Sequence, residues 1–187
     1  MRLESLTDFE WYNEPENVTF EEKNVKITAK PQTDFWQALH HQIKKDNAHF
    51  FYKTLKGDFT LIVKWLFNTA EQFNQCGIMA RVDERNWFKA SVMSKSKSRP
   101  EIGSCVTIGG YSDWAGAPVF KMPGKIFYKL ERRNNDFVCF YSLDGINYTR
   151  LRQFYLRGIE PDIKAGAYIA APQKEPFEAV LDEIDFK

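Results

Sequence analysis

The clearest signal along the chain is a two-residue alternation that recurs in short runs. In Phe59–Phe67 the residues Phe59, Leu61, Val63, Trp65 and Phe67 point one way, and Thr60, Ile62, Lys64 and Leu66 the other, which is the period of a strand. Both sides are mostly apolar, so this strand is expected to lie centrally in a sheet. Val25–Ala29 alternates in the same manner, and Phe50–Leu55 is a short apolar and aromatic run. Cys76–Val82 and Trp87–Met93 are joined by Asp83-Glu84-Arg85-Asn86, a linker with the length and polarity of a hairpin loop. Ser104–Gly109, Lys125–Arg133, Phe137–Ser142, Ala165–Ala171 and Phe177–Phe186 complete the series. Asn134-Asn135-Asp136 and Leu143-Asp144-Gly145 supply tight turns between them. Only Phe35–Lys45 is compatible with a helix, and a short one. Many short strands with turn signals between them predict an all-β antiparallel sandwich or barrel. Faces that are apolar on one side and mixed on the other suit two stacked sheets, one of which carries a binding surface.

Composition narrows the class of function. The chain has 187 residues without internal repeat or long linker, which predicts a single domain over 1–187. Hydrophobic residues make up 43% and charged residues 27%, ordinary values for a globular chain. Twenty-six basic against 25 acidic side chains leave a net charge of +1, so no footprint for a phosphate backbone exists and nucleic acid is not an expected partner. No apolar run approaches the length of a membrane span. Acidic residues at Glu4, Asp8 and Glu10 interrupt the N-terminus, so no signal peptide is read there and a cytoplasmic location is expected. Cys76, Cys105 and Cys139 are odd in number and lack a paired spacing, which predicts buried free thiols rather than disulfides or a zinc site. With 16 Phe, 8 Tyr and 5 Trp, the chain is unusually rich in rings, which suits pleated strands.

Three sets of residues are candidates for chemistry. Arg81 shares a strand face with Gly77 and Met79, and Trp87, Lys89, Ser91 and Met93 share a face of the next strand. Arg132 ends a strand behind Leu130 and Tyr128, while Asp113 and Trp114 fall in the stretch after Ser104–Gly109, read as a loop. Arg81, Lys89, Asp113 and Arg132 are therefore expected to converge on one sheet face beside Trp36, Trp87 and Trp114. Rings that stack on apolar sugar faces, with charged groups that bond hydroxyls or carboxylates, suit a polyhydroxylated ligand. The alternative is an exposed face with ordinary ion pairs. The second set is Glu183 and Asp185, which share a face near the C-terminus. Glu183-Ile184-Asp185 resembles part of the Glu-Ile-Asp-x-x-Glu signature of sandwich glucanases but stops before the second Glu, so a solvated face is expected. Third, His40 and His41 are adjacent on the possible helix and His49 precedes a strand; their spacing does not suit a shared metal. No cofactor and no metal are expected.

Read in order, several segments resemble a known family. They are Thr33-Asp34-Phe35-Trp36, Gly57-Asp58-Phe59, Cys76-Gly77-Ile78-Met79-Ala80-Arg81-Val82-Asp83 and Trp87-Phe88-Lys89-Ala90, then Tyr111-Ser112-Asp113-Trp114, Ser142-Leu143-Asp144-Gly145 and Ala165-Gly166-Ala167-Tyr168, with Pro172 beyond. The series is similar to the domain-of-unknown-function family related to the regulation-of-enolase protein. That resemblance implies a concanavalin A-like lectin/glucanase sandwich of jelly-roll type and, by analogy with lectins, a sugar-related role. Where the family pattern usually carries Glu after the Trp-x-Lys segment, this chain has Met93.

The expected function is a non-catalytic module for a carbohydrate or an anionic sugar derivative, since two Arg and one Lys against one Asp would leave a positive cleft. The alternatives are a glycoside hydrolase-like enzyme, for which only Asp113 is a candidate carboxylate, and a protein–protein regulator of a metabolic enzyme. The last predicts an apolar patch around Trp114, Ala115, Pro118 and Val119. The polar, basic segment Ser94–Pro100 is expected to border the cleft as an exposed connection.

Overall fold

The expected runs each fall on a strand, Ser104–Gly109 as the end of one that begins at Pro100, and they pair with further strands at Glu10–Tyr12, Asn17–Phe20, Tyr111–Pro118 and Thr149–Tyr155, which the pattern did not place, into two seven-stranded antiparallel sheets. The computed structural model describes residues 6–38, 42–68, 71–96, 99–156 and 162–187. In spatial order the first sheet contains β1 (Glu10–Tyr12), β6 (His49–Lys56), β15 (Asp162–Ala170), β8 (Gln75–Asp83), β9 (Asn86–Ser94), β10 (Pro100–Ile108) and β11 (Tyr111–Pro118). The second contains β14 (Thr149–Tyr155), β13 (Asp136–Ser142), β12 (Lys125–Arg133), β7 (Phe59–Phe67), β16 (Phe177–Phe186), β3 (Val25–Ala29) and β2 (Asn17–Phe20). The strand with two apolar sides, β7, is the middle one of its sheet.

Inward-facing residues of both sheets make one core. Leu61, Val63 and Trp65 of β7 meet Ile78, Ala80, Phe88 and Ala90 of the first sheet. Trp65 is fully buried, and its indole N–H crosses between the sheets to the carbonyl of Gly77 at 2.9 Å. A large ring with a polar edge needs such a partner when water is excluded. All three cysteines are buried and free.

A solvated sheet would be buried on one face only. Strand β9 is buried on both, because residues 31–38 and 42–48 lie across the outer face of the first sheet as a third layer. Here the structure departs from the helix expected over Phe35–Lys45. Phe35–Trp36 (β4) and Lys45–Asp46 (β5) are extended and pair with each other; His40 and His41 lie outside the described residues. The physical reason is an extended partner for the backbone. Gln37 N–H donates to Ser112 Oγ at 2.8 Å, and Ser112 N–H donates back to the Gln37 carbonyl at 3.0 Å. Phe35 is thereby driven into a second apolar cluster with Trp87 and Tyr168. The stretch read as a loop at Asp113 and Trp114 is also a strand, β11, at the sheet edge.

Trp65→Ala is expected to cost about 3–5 kcal/mol, the scale of a buried aromatic truncation. Urea unfolding followed by circular dichroism checks this, and an unchanged midpoint would contradict the position of β7.

Candidate functional site

Two buried cations stand on the outer face of the first sheet, and the crossing segment neutralises both. Arg81 of β8 is 4% exposed and forms a two-pronged bond to Asp46, at 2.6 and 2.9 Å. Tyr12 lies 4.3 Å from its guanidinium, ring centroid to carbon, and donates its hydroxyl to Asp46 at 2.5 Å. Burial and that bond push the Tyr12 phenol up to about 12. Lys89 of β9 is 1% exposed. Its ammonium donates to Asp34 Oδ1 at 2.7 Å and to Gln75 Oε1 at 3.0 Å, and the Tyr168 hydroxyl donates to the same Gln75 oxygen at 3.1 Å. A buried cation without such partners would be strongly destabilising.

Beside Lys89 the segment does not close on the sheet, and a cavity of about 730 Å³ remains. Lys89, Asp34 and Gln75 form its floor; Trp36, Trp114, Met93 and Phe73 wall it; Lys45 and Lys95 stand among its charged lining residues. The size and the mixture of rings with a few polar groups are those of a small-molecule site. Trp114 lies flat. A Cβ at Gly103 would sit 2.3 Å from its ring carbon Cζ2, and one at Gly116 would be 2.8 Å from Glu101 Oε1 and 3.0 Å from Trp114 Nε1. The glycines on β10 and β11 are thus the space in which the indole rests against backbone. Its N–H donates to Glu101 Oε1 at 2.7 Å, and Lys95 holds the other carboxylate oxygen at 3.0 Å.

The structure unites part of the expected set. Trp36, Lys89 and Trp114 meet at the cavity. Asp113 is in its wall, but alternation along β11 turns the Asp113 side chain to the opposite face, where it is exposed and 3.4 Å from Arg152 of the second sheet. Arg81 and Trp87 share the outer face yet are sealed beneath the crossing segment, Trp87 fully buried against Phe35 and Arg81 capped by Asp46. Arg132 belongs to the other sheet: its Nε donates to the Asn134 carbonyl at 2.8 Å and its guanidinium faces Phe137. The expected convergence of four charged residues therefore does not form; in the cavity lining Lys89 and Lys95 are paired with carboxylates and Lys45 is bonded to the Gln32 carbonyl. Glu183 and Asp185 lie on the outward face of the second sheet, paired in register with Lys64 and Ile62.

Sequence reasoning missed Asp34, Gln75 and Glu101 as site residues. Asp34 was within a segment shared with the family. Gln75 precedes the expected start of its strand but shares parity with Gly77, Met79 and Arg81, which would have placed it on the same face. Glu101 pairs directly with Met93 across the β9–β10 ladder. Of the Ser94–Pro100 segment, expected to be an exposed connection, Lys95 lines the cavity while Ser94 and Pro100 are buried in strands; residues 97 and 98 lie outside the described residues.

The crossing segment is anchored at its base by His49. This 2% exposed imidazole donates from Nδ1 to the Asn13 carbonyl at 2.5 Å and accepts the Lys30 N–H at Nε2, at 3.0 Å. The Asn13 side chain donates to the carbonyls of Asp46 and Ala48. Burial holds the His49 pKa below its ordinary value of 6.5. The unfolded chain then binds the extra proton more readily, so this contribution to stability is full above about pH 6.5 and is lost as the pH falls toward the folded-state value. Melting temperature followed from pH 7.5 down to 5 is expected to decline more steeply for the native chain than for His49→Gln. Parallel curves would remove His49 as the cause.

With this geometry in place, comparison with known proteins shows kinship and fold. The chain is 30% identical over 112 residues to "Regulation of enolase protein 1" of Saccharomyces cerevisiae, a match covering 60% of this chain and 56% of that protein's length. Among solved structures, a functionally unknown protein from Saccharomyces cerevisiae superimposes with a TM-score of 0.90 at 22% identity, over 97% of both chains. The GH43 protein BlXynB from Bacillus licheniformis gives a TM-score of 0.74 at 13% identity, over 96% of this chain and 36% of that one. At those identities the structural matches show a shared sandwich fold and nothing of activity. The model of the family described as "Protein of unknown function (DUF1349)" matches residues 11–187, and the chain belongs to that family.

Proposed function

We propose that this protein binds a carbohydrate or sugar derivative, without catalysis, in the cavity between the crossing segment and the first sheet. The observation that carries this is Trp114, whose indole rests on Gly103 and Gly116 and is tied at its N–H by Glu101. A flat, tethered ring beside a charged, hydrogen-bonded floor is what a polyhydroxylated ring requires: stacking for its C–H face and polar partners for its hydroxyls. Hydrolysis would require two carboxyl groups facing each other across the bond to be broken. Of the two aspartates in the lining, Asp113 turns toward Arg152 and Asp34 is bonded to Lys89, which favours binding.

A second reading, regulation of a metabolic enzyme through protein contact, draws on the yeast relative's name and on one surface. Ala115, Gly116, Ala117 and Pro118 of edge strand β11 are exposed, as is Phe120 just beyond. Val119, part of the expected patch, is only partly exposed and packs on the core.

Thermal-shift screening against neutral sugars, sugar phosphates and sugar acids tests the first reading, because a ligand of the native state raises the melting temperature. Trp114→Ala is expected to weaken binding of any sugar found by about tenfold or more, with a stability loss of about 1–2 kcal/mol from the lost partner of Glu101. Gly103→Ala is expected to lift the indole and weaken binding in the same direction. Full affinity in both variants would place the ligand elsewhere, and no shift with any sugar would favour the protein-contact reading.

A further inference from the structure

The cavity floor carries more information than its charge. Resting on the carbohydrate reading above, we infer that the cavity selects a neutral sugar through two adjacent hydroxyls, read by Asp34 and Gln75. Four bonds fix the orientation of these side chains. Gln75 Oε1 receives both the Lys89 ammonium and the Tyr168 hydroxyl, two groups of which the ammonium can only donate. The amide oxygen must therefore face inward, and its NH2 is the edge left for the cavity that Gln75 lines. Asp34 is fixed likewise. Its Oδ1 receives the Lys89 ammonium at 2.7 Å and the Phe35 N–H at 2.8 Å. Among the described residues neither Asp34 Oδ2 nor Gln75 Nε2 has a protein hydrogen-bond partner. One acceptor and one donor thus flank Lys89, which bridges the two side chains from below.

A vicinal diol matches this pair. One hydroxyl donates to Asp34 Oδ2, its neighbour accepts from Gln75 Nε2, and the ring they belong to can reach the Trp114 face in the same cavity. An anionic group does not match. The positive charge of Lys89 is already balanced by Asp34 and that of Lys95 by Glu101, while the Lys45 ammonium is engaged by the Gln32 carbonyl, and a ligand carboxylate or phosphate placed at the floor would approach the free oxygen of Asp34, acceptor against acceptor. Specificity of this kind comes from the penalty on the wrong ligand as much as from bonds to the right one.

Two substitutions exchange the cavity-facing atom and keep each bond beneath it, while changing the charge beside Lys89 in opposite directions. Asp34→Asn keeps an oxygen for Lys89 and the Phe35 N–H while replacing Oδ2 with a donor. Gln75→Glu keeps the acceptor for Lys89 and Tyr168 while replacing the NH2 with an acceptor. Melting temperatures identify any variant that fails to fold, and each variant serves as a check on the other. The probes are the methyl glycosides of glucose, galactose, mannose and xylose, the deoxy analogues of any that bind, glucuronate and glucose 6-phosphate, with affinities taken from titration calorimetry or ligand-observed NMR. Expected are binding of at least one neutral glycoside, a loss of about tenfold when one of its adjacent hydroxyls is removed, and a similar loss in a folded Asp34→Asn or Gln75→Glu. Asp34→Asn is also expected to raise the affinity for glucuronate relative to the neutral glycoside. Tighter binding of glucuronate or the phosphate by the native chain, or unchanged affinity in both folded variants, overturns this inference and leaves the carbohydrate reading standing. Failure of every probe to bind the native chain overturns both.

Discussion

Neither Lys89 nor Arg81 can be buried alone, and the organisation of this face of the protein follows from that. Removing a charged head from water is favourable only when an opposite charge and further hydrogen bonds meet it. Both carboxylates come from one segment: Asp34 from its start and Asp46 from its end. The segment is held at two points on adjacent strands, β8 and β9. Phe35 fills the interval between the clamps, against Tyr12, Trp87 and Tyr168. The apolar filling in turn excludes water from Arg81, whose guanidinium lies 5.5 Å from the Phe35 ring centroid. Charge pairing and ring packing each depend on the other being complete.

The cavity arises where this arrangement is uneven. On the Arg81 side, the doubly bonded carboxylate and the Tyr12 ring close the surface. On the Lys89 side a slender ammonium is bonded to two side chains that each retain an unpartnered atom, and the neighbouring strands carry Met93, Trp114 and the small residues that let the indole lie down. A lysine gives a point charge where an arginine gives a planar fork. That difference in shape helps explain why one clamp is sealed and the other leaves an opening.

Much of the fold was legible because period-two alternation reports strand and face together. The runs at Phe59–Phe67, Lys125–Arg133 and Phe177–Phe186 match the observed strands. The elements missed lack that signal. In β11 the run Ala115-Gly116-Ala117-Pro118 has no apolar alternation, and it is a strand because β10 offers it a ladder. Residues 35 and 36 are extended through tertiary pairing that no local propensity encodes. The site was legible only in part for a related reason. Parity tells which residues share a face but not which sheet or which side that face belongs to. Arg132 does share its face with Leu130 and Tyr128, and that face is the interior of the other sheet. Asp113 and Trp114 are neighbours on a strand, so only one of them could point into the cavity.

The same pairing that makes the floor stable bears on what it can hold. A cleft with uncompensated cations would be costly to bury and would draw any anion. Here the two buried cations, Arg81 and Lys89, are matched within the chain, so burial of the floor does not depend on a ligand. What remains for a ligand is a tethered ring and a small number of polar atoms whose directions are fixed by bonds already made beneath them. Such a site gains little from charge and much from geometry, because the groups need not reorganise when the ligand arrives. Preorganisation then rests on bonds that never touch the ligand: Tyr168 orienting Gln75, the Phe35 N–H orienting Asp34, and Glu101, itself held by Lys95, orienting Trp114.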